Sequence, residues 1–315
     1  MKHKTVLLEE SIDALNIIRE GIYVDCTLGG GGHSERILEK LDGTGKLIAI
    51  DQDIFAIEKS KERLKSYKNA IFIKDNFSNL ERILKDLGID KVDGVLLDLG
   101  VSSFQFDDRE RGFSYWDEAI LDMRMDQEAR IDAKFIINNY TLKELTRVFN
   151  DYGDEKNAYR FAKAIVRTRE KTPLITNKDL VETIKGTLSE KEKRKPGHPA
   201  RKIFQALRIE VNQELKVLED VLPSIVKSLA YGGRVAIITF HSIEDRIVKQ
   251  FFKIMEKPCE CPSDFPICTC NKVPLLKIIG KKPIIPDIDE LDANSRARSS
   301  KLRVAEKIWG KYVKI

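Results

Sequence analysis

The chain has 315 residues, 42% hydrophobic and 33% charged, a length that points to about two domains or to one large α/β domain carrying an insertion. This composition excludes a disordered or fibrous chain, and no apolar run approaches the roughly 18 residues of a membrane span. The net charge of +5 hides an uneven distribution: residues 185–208 and 294–315, 46 in all, carry +12, and the other 269 sum to −7.

The basic start at Met1-Lys2-His3-Lys4 leads into an apolar stretch that Glu9 and Glu10 break at once. No secretory core forms, and the expected compartment is cytoplasmic, without a membrane partner. Ile22-Tyr23-Val24-Asp25, Leu47 to Asp51, Ala70 to Ile73 and Val95 to Asp98 read as buried strands, since short continuous apolar runs fit parallel strands covered on both faces. Between them, Ser34 to Leu41, Ile54 to Tyr67 and Leu80 to Leu87 space their Leu and Ile residues three or four apart, as amphipathic helices do. Right-handed crossovers turn this alternation into a doubly wound sheet.

From Phe104 to about Lys227 the signals are mostly helical. Thr141 and Glu144 form a capping box opening a helix through Phe149, and a strong helix runs from Pro199 onward. Strand signals return at Arg234 to Phe240, Leu275 to Ile279 and Leu302 to Ile308. The pattern predicts an α/β sheet of residues 1–104 and 228–315, interrupted by a helical insertion over 105–227.

The first strand leads into Asp25-Cys26-Thr27-Leu28-Gly29-Gly30-Gly31-Gly32-His33-Ser34. Glycines at a strand-to-helix turn bring backbone N–H groups and a helix N-terminus close to a ligand. Asp51 ends the second strand 22 residues after Gly29, the offset at which such folds place a carboxylate on an adenosine ribose. The glycine spacing is not that of nicotinamide-binding folds. Asp25 before the turn would repel a pyrophosphate but suits a cation, such as the amino-acid end of S-adenosylmethionine; it reads equally as a loop hydrogen-bonding group. Asp98, at the carboxyl end of a central strand, is the leading candidate for chemistry. Phe77 reads either as an adenine contact or as core.

These residues resemble the ribosomal RNA small subunit methyltransferase H (MraW) family, cytosine-N4 methyltransferases of bacterial 16S rRNA. The resemblance rests on His3 to Glu9, Asp25 to Ser34, Asp98 to Gln105, Asp107 to Ser114 and Leu121 to Asp126. It continues in His198 to Arg201, Phe204 to Ile209 with Asn212, and Phe240 to Ser242 with Asp245 and Arg246. It implies a class I, Rossmann-like S-adenosylmethionine methyltransferase sheet with an inserted helical substrate-recognition domain. Cofactor contacts are implied for Gly31, Gly32, His33, Asp51, Phe77, Asp98 and Gln105. Thr5, Phe104 and Arg130 depart from the family pattern and affect loop shape only.

A methyl transfer from a sulfonium is an in-line displacement, so the protein's task is alignment. The cytosine amino nitrogen becomes cationic as it attacks, and an oxygen acceptor beside it, Asp98 or a carbonyl of residues 99–101, stabilises that charge. The base must leave its stack to reach the crevice. Phe113, Tyr115, Trp116, His198, His241 and Ser242 are available to receive it, although His241 also reads as an ordinary strand-end histidine. Arg201, Gln205, Arg208 and Asn212 fall on one helical face suited to RNA contacts, or to solvent. Residues 191–202 and the tail from Arg296 to Lys314 would be electrostatic anchors on 16S rRNA in the small subunit. A homodimer is left open. The competing readings are a methyltransferase of another acceptor, an RNA-binding assembly factor and, more distantly, a nicotinamide oxidoreductase.

Five cysteines are an odd number, and Cys259, Cys261, Cys268 and Cys270 crowd into twelve residues. That is no secreted disulfide framework, and reduced thiols are expected. Four thiolates can close a zinc site; a labile disulfide and unligated thiols are the alternatives, and no metal is assigned to the chemistry.

Overall fold

Alternate residues of the apolar runs face opposite sides of one sheet. The structure, a computed structural model, describes residues 5–261 and 269–308. Its strands are β1 (Ile22–Asp25), β2 (Lys46–Asp51), β3 (Ala70–Lys74), β4 (Val92–Asp98), β5 (Leu229–Thr239), β6 (Leu276–Ile284) and β7 (Lys301–Lys307). They lie in the order β3-β2-β1-β4-β5-β7-β6. The first five are parallel, and β7 runs antiparallel to both β5 and β6. Val24, Ile48, Ile50, Val95, Leu97, Val235 and Ile237 belong to one apolar layer. Tyr23, Leu47, Ala49, Leu96, Ala236 and Ile238 belong to the other. A period of two with both faces apolar is what makes each strand read as a continuous hydrophobic run.

Helices α1 (Leu8–Leu15), α2 (Gly32–Leu41) and α3 (Ile54–Arg63) cover the second layer with Ile12, Leu15, Ile37, Leu38, Leu41 and Ile57. α4 (Leu80–Asp86) covers the first with Leu80, Ile83 and Leu84. α3 stops four residues short of the expected Tyr67, because Leu64 leaves the helical region at φ −99°, ψ 14°.

Residues 1–100 and 216–315 form one compact unit and residues 101–215 a second. The second holds α5 (Ser103–Asp107), α6 (Ala133–Asn139), α7 (Leu142–Asp151), α8 (Ala158–Arg169), α9 (Asn177–Lys185), α10 (Glu190–Lys193) and α11 (Arg201–Asn212). Its own core joins Ile136, Leu145, Phe149, Phe161, Ile165, Leu180, Ile184, Ile203 and Leu207. The Thr141–Glu144 capping box opens α7 as expected.

The long helix expected from Pro199 is two helices. Gln213 is left-handed at φ 50° and ends α11, after which α12 (Glu214–Ser228) begins. From Leu218 onward α12 packs its apolar face on the first layer of the sheet, beside Val248 and Phe252 of α13 (Ser242–Glu256). α14 (Ile288–Ala293) precedes β7.

Of the segment expected to be a basic tail, Arg296 and Arg298 lie in a short 3-10 helix and Lys301–Lys307 is strand β7. Lys301 and Arg303 lie on β7 and both bind the carboxylate of Asp245, Arg303 Nε at 2.6 Å. Lys307 is buried and donates to the carbonyl of Val226 at 2.8 Å. The anchoring role read into these three residues is therefore corrected: pairing inside the fold consumes their charge. Lys311 and Lys314 lie outside the described residues.

Candidate active site

Strand order fixes where the chemistry sits. From β1 the chain winds outward through β2 and β3, then returns to β4 on the other side of β1. The crevice at the carboxyl ends of β1 and β4 is the topological switch point at which open α/β sheets bind ligands. Asp25 ends β1, Asp51 ends β2 and Asp98 ends β4.

The glycine turn is threaded between these carboxylates. Gly29 N–H donates to Asp51 Oδ2 at 2.8 Å, and Asp53 N–H donates to Asp51 Oδ1 at 2.9 Å. Ser34 Oγ donates to Asp25 Oδ2 at 2.7 Å, and Thr27 N–H donates to Asp25 Oδ1 at 3.0 Å. The Asp98 N–H in turn donates to Thr27 Oγ1 at 2.6 Å. Gly31 stands at φ +73°, a conformation that favours glycine, and leads into the N-terminus of α2 without a capping side chain. Asp25 is thus a loop hydrogen-bonding group, one of the two readings it was given.

Electrostatically this is an acidic pocket short of a cation. Burial is the first cause that raises the pKa of all three carboxyls. Asp51, with its two backbone donors opposing the shift, is pushed up to about 6. Asp98 is pushed up to about 8 by burial and then by the negative charges of Asp25 and Glu244. Its Oδ1 is buried and receives no hydrogen bond among the described residues, and 27% of its side-chain surface stays open. His33, buried at the start of α2, places Nδ1 3.8 Å from Asp98 Oδ2. A carboxyl so placed stays protonated near neutrality until positive charge arrives beside it.

Phe77 is partly buried against the sheet's first layer, at the start of a short 3-10 helix capped by Asn76. His241 caps α13: its Nδ1 accepts from Glu244 N–H at 3.4 Å, and its Nε2 lies 3.0 Å from Glu244 Oε1. The ordinary reading of this histidine accounts for Nδ1, whereas Nε2 is buried without a hydrogen bond among the described residues. Ser242, next in the chain, is exposed.

In the second unit, Gln105 is buried and completes a capping box with Ser102 that opens α5. Tyr115 and His198 stack at 4.4 Å between ring centroids with planes 9° apart, and Trp116 leans on His198 at 4.8 Å. Trp116 is 73% exposed. Burial and the charge of Lys185 lower the His198 pKa, and its Nδ1 accepts from Ala200 N–H at 3.3 Å. The ring is therefore neutral at neutral pH with its proton on Nε2. Trp116, Lys185, Lys193, Gly197, His198 and Pro199 line an open cavity of about 480 Å³.

The expected polar stripe on α11 divides. Arg201 is exposed. Arg208 is clamped by Glu214, Nε to Oε1 and Nη2 to Oε2 both at 2.8 Å, and Gln205 donates to the carbonyl of Tyr152. Asn212 turns inward, accepting from Met125 N–H at 2.8 Å and donating to the carbonyl of Met123 at 2.8 Å. Arg208 and Asn212 are thus both held by internal partners. Asn212 holds a loop in which Met123 is left-handed at φ 63°. Asn212→Ala should cost ~1–3 kcal/mol of stability, the penalty of unpaired buried backbone groups. Urea unfolding checks this, and a change below about 0.5 kcal/mol would contradict it.

Comparison with known proteins agrees with this geometry. The model of the MraW methylase family matches residues 1–308. "Ribosomal RNA small subunit methyltransferase H" of Clostridium botulinum strain Loch Maree is 55% identical over 307 residues, covering 98% of this chain and 99% of that protein. The proteins of the same name from strains 657 and Kyoto are 55% and 54% identical with the same coverage.

Proposed function

Since the chain belongs to the MraW methylase family, we propose that it methylates the N4 amino group of a cytidine in 16S rRNA of the small ribosomal subunit, with S-adenosylmethionine as donor. The observation that carries the reading is the acidic crevice at the sheet's switch point, where Asp98 keeps a buried, unbonded oxygen beside Asp25. That donor set fits a cationic cofactor and would repel a pyrophosphate. When bound, S-adenosylmethionine supplies an electrophilic methyl group on a positively charged sulfur.

This chain's residues do the rest. Gly29 to Gly32 give the close backbone approach and the open N-terminus of α2. Asp51 is the carboxylate for the ribose, and Asp25, His33 and Phe77 complete the cofactor side. Positive charge brought beside Asp98 releases its proton and turns it from donor into acceptor. The Asp98 carboxylate then accepts from the N4 amino group, drawing off positive charge as the nitrogen attacks. Residues 101–215 are proposed to carry RNA recognition. Trp116 offers an exposed aromatic face tilted against a neutral His198, with Lys185 and Lys193 in the same cavity and Arg201 exposed two residues beyond its Pro199 wall. A stacking surface flanked by cations is what a splayed-out base and its phosphates require.

Gly32 offers a local check on the cofactor turn. A Cβ there would lie 2.0 Å from Thr5 Oγ1 and 3.1 Å from Thr5 Cβ. Gly32→Ala should weaken S-adenosylmethionine binding ~10-fold, about 1.4 kcal/mol, and Thr5→Gly in the same chain should recover most of it. Calorimetry decides: unchanged affinity in the single variant would show that the turn has room to spare.

The reading is tested by incubating the purified chain with labelled S-adenosylmethionine and small subunits from cells lacking this protein, then identifying the labelled nucleoside by mass spectrometry. N4-methylcytidine is expected. Label on another nucleoside would overturn the acceptor. RNA binding without any transfer would favour an assembly factor.

A further inference from the structure

The segment joining α13 to β6 contains a feature that methyl transfer does not use. Cys259, Cys261 and Cys270 bring their Sγ atoms within 4.8 Å of one another, although two of them are separated from the third by at least nine residues. Proximity of three soft donors this far apart in the chain calls for a cause. Cys259 is exposed and Cys261 and Cys270 are only partly buried, so burial of these side chains supplies little of the order.

From this geometry we infer that Cys259, Cys261 and Cys270 form a structural zinc site that pins the α13–β6 connection. Tetrahedral zinc–thiolate geometry, at about 2.3 Å per bond, sets sulfur atoms about 3.8 Å apart. The observed cluster reaches that spacing by a contraction of about 1 Å at most. The surroundings match the chemistry. Thr269 N–H donates to Cys261 Sγ at 3.4 Å, the kind of backbone donor that stabilises charge on a ligating sulfur. Asn271, directly after Cys270, adopts φ 52°, which turns the chain back at the cluster. Lys272 pairs with Glu260 at 2.5 Å in the same segment.

Zinc binding here is ligand exchange: each thiol gives its proton to solvent as its sulfur replaces a water on the ion. Three thiolates leave one tetrahedral position. Cys268, the remaining cysteine of the segment, lies outside the described residues. The site is remote in sequence from Asp25, Asp51 and Asp98, and its role is to order the polypeptide. Zinc is preferred over harder cations by the all-sulfur donor set.

The test uses the full chain, purified without a histidine tag under reducing conditions. Zinc is measured by plasma mass spectrometry, and its release is followed with a chromogenic chelator as a mercurial reagent titrates the thiols. About one zinc per chain, released in step with thiol modification, is expected. Cys259→Ser/Cys261→Ser should lower the content at least about tenfold while S-adenosylmethionine affinity, measured by calorimetry, reports that the sheet still folds. If that variant fails to fold, cobalt added to the metal-stripped wild-type chain gives the answer: a thiolate-to-cobalt charge-transfer band is expected. Absence of both zinc and the cobalt band would overturn the proposal, as would zinc retained at full content in the double variant or a mass two hydrogens light from a disulfide.

Discussion

Asp98→Ala will lower the rate of methyl transfer to small subunits by ~10²–10³, the usual consequence of removing a preorganised group from a developing charge. The expectation rests on placement. Asp98 ends β4 at the switch point, its main-chain N–H is fixed by Thr27, and its Oδ1 is left without a hydrogen bond among the described residues. A buried acceptor with no partner is costly to keep, and it is explained if the partner is the amino group of the base. Single-turnover rates at saturating cofactor separate this role from cofactor binding, because only loss of the chemical step persists there. Asp98→Asn should fall between wild type and alanine, since an amide oxygen still accepts a hydrogen bond but carries no charge. A rate within about threefold of wild type for the alanine variant would remove Asp98 from the reaction.

The affinity for S-adenosylmethionine, relative to its neutral product S-adenosylhomocysteine, will rise with pH up to about 8 and then level off. The sign follows from the direction of the shift. Burial, Asp25 and Glu244 push Asp98 up to about 8, so in the ligand-free chain it is mostly protonated below that pH. A sulfonium favours the carboxylate, and binding it expels a proton; the neutral thioether of the product demands no such ionisation. One proton released per cation bound makes the ratio grow roughly tenfold per pH unit below the pKa. Both ligands carry the same amino-acid end, so its own titration cancels. Asp51, raised to about 6, and Asp25, also raised by burial, add curvature toward the acid side. In the ligand-free protein the same shifts work against stability: the protonated carboxyls favour the fold at low pH, and that contribution is lost as pH climbs from about 4 through the raised values.

The sheet was legible because it is buried on both sides. Every strand residue from Val95 to Leu97 has to be apolar when alternate side chains enter two cores, and no other element writes so continuous a run. The carboxylates were legible for a related reason: in a parallel sheet the carboxyl ends of the strands share one edge, so Asp25, Asp51 and Asp98 are brought to one side by topology alone. What stayed hidden depends on partners far along the chain. Asn212 lies on a helical face with Arg201 and looks like a surface residue, yet the backbone it binds belongs to Met123 and Met125, on a loop that periodicity does not register. The charges of Lys301 and Arg303 read as a basic tail because their counter-charge, Asp245, is on α13. The break at Gln213 is a backbone event, a single left-handed residue between two helices, and glutamine gives no warning of it. Trp116 and His198 were found singly; the stacking of His198 on Tyr115 and the tilted contact of Trp116 with both rings needed the fold of residues 101–215.

The most direct test of the acidic crevice as a sulfonium receptor is calorimetric titration of the wild-type chain and of Asp98→Asn with S-adenosylmethionine and with S-adenosylhomocysteine, from about pH 6 to about pH 9. In the wild type the ratio of the two affinities should climb toward pH 8 and flatten beyond it, with proton release on binding the cation, and in Asp98→Asn the ratio should lose most of that slope. A wild-type ratio that is flat across the range, or a slope that survives the substitution unchanged, would contradict it and assign the recognition of the cofactor's charge to other groups.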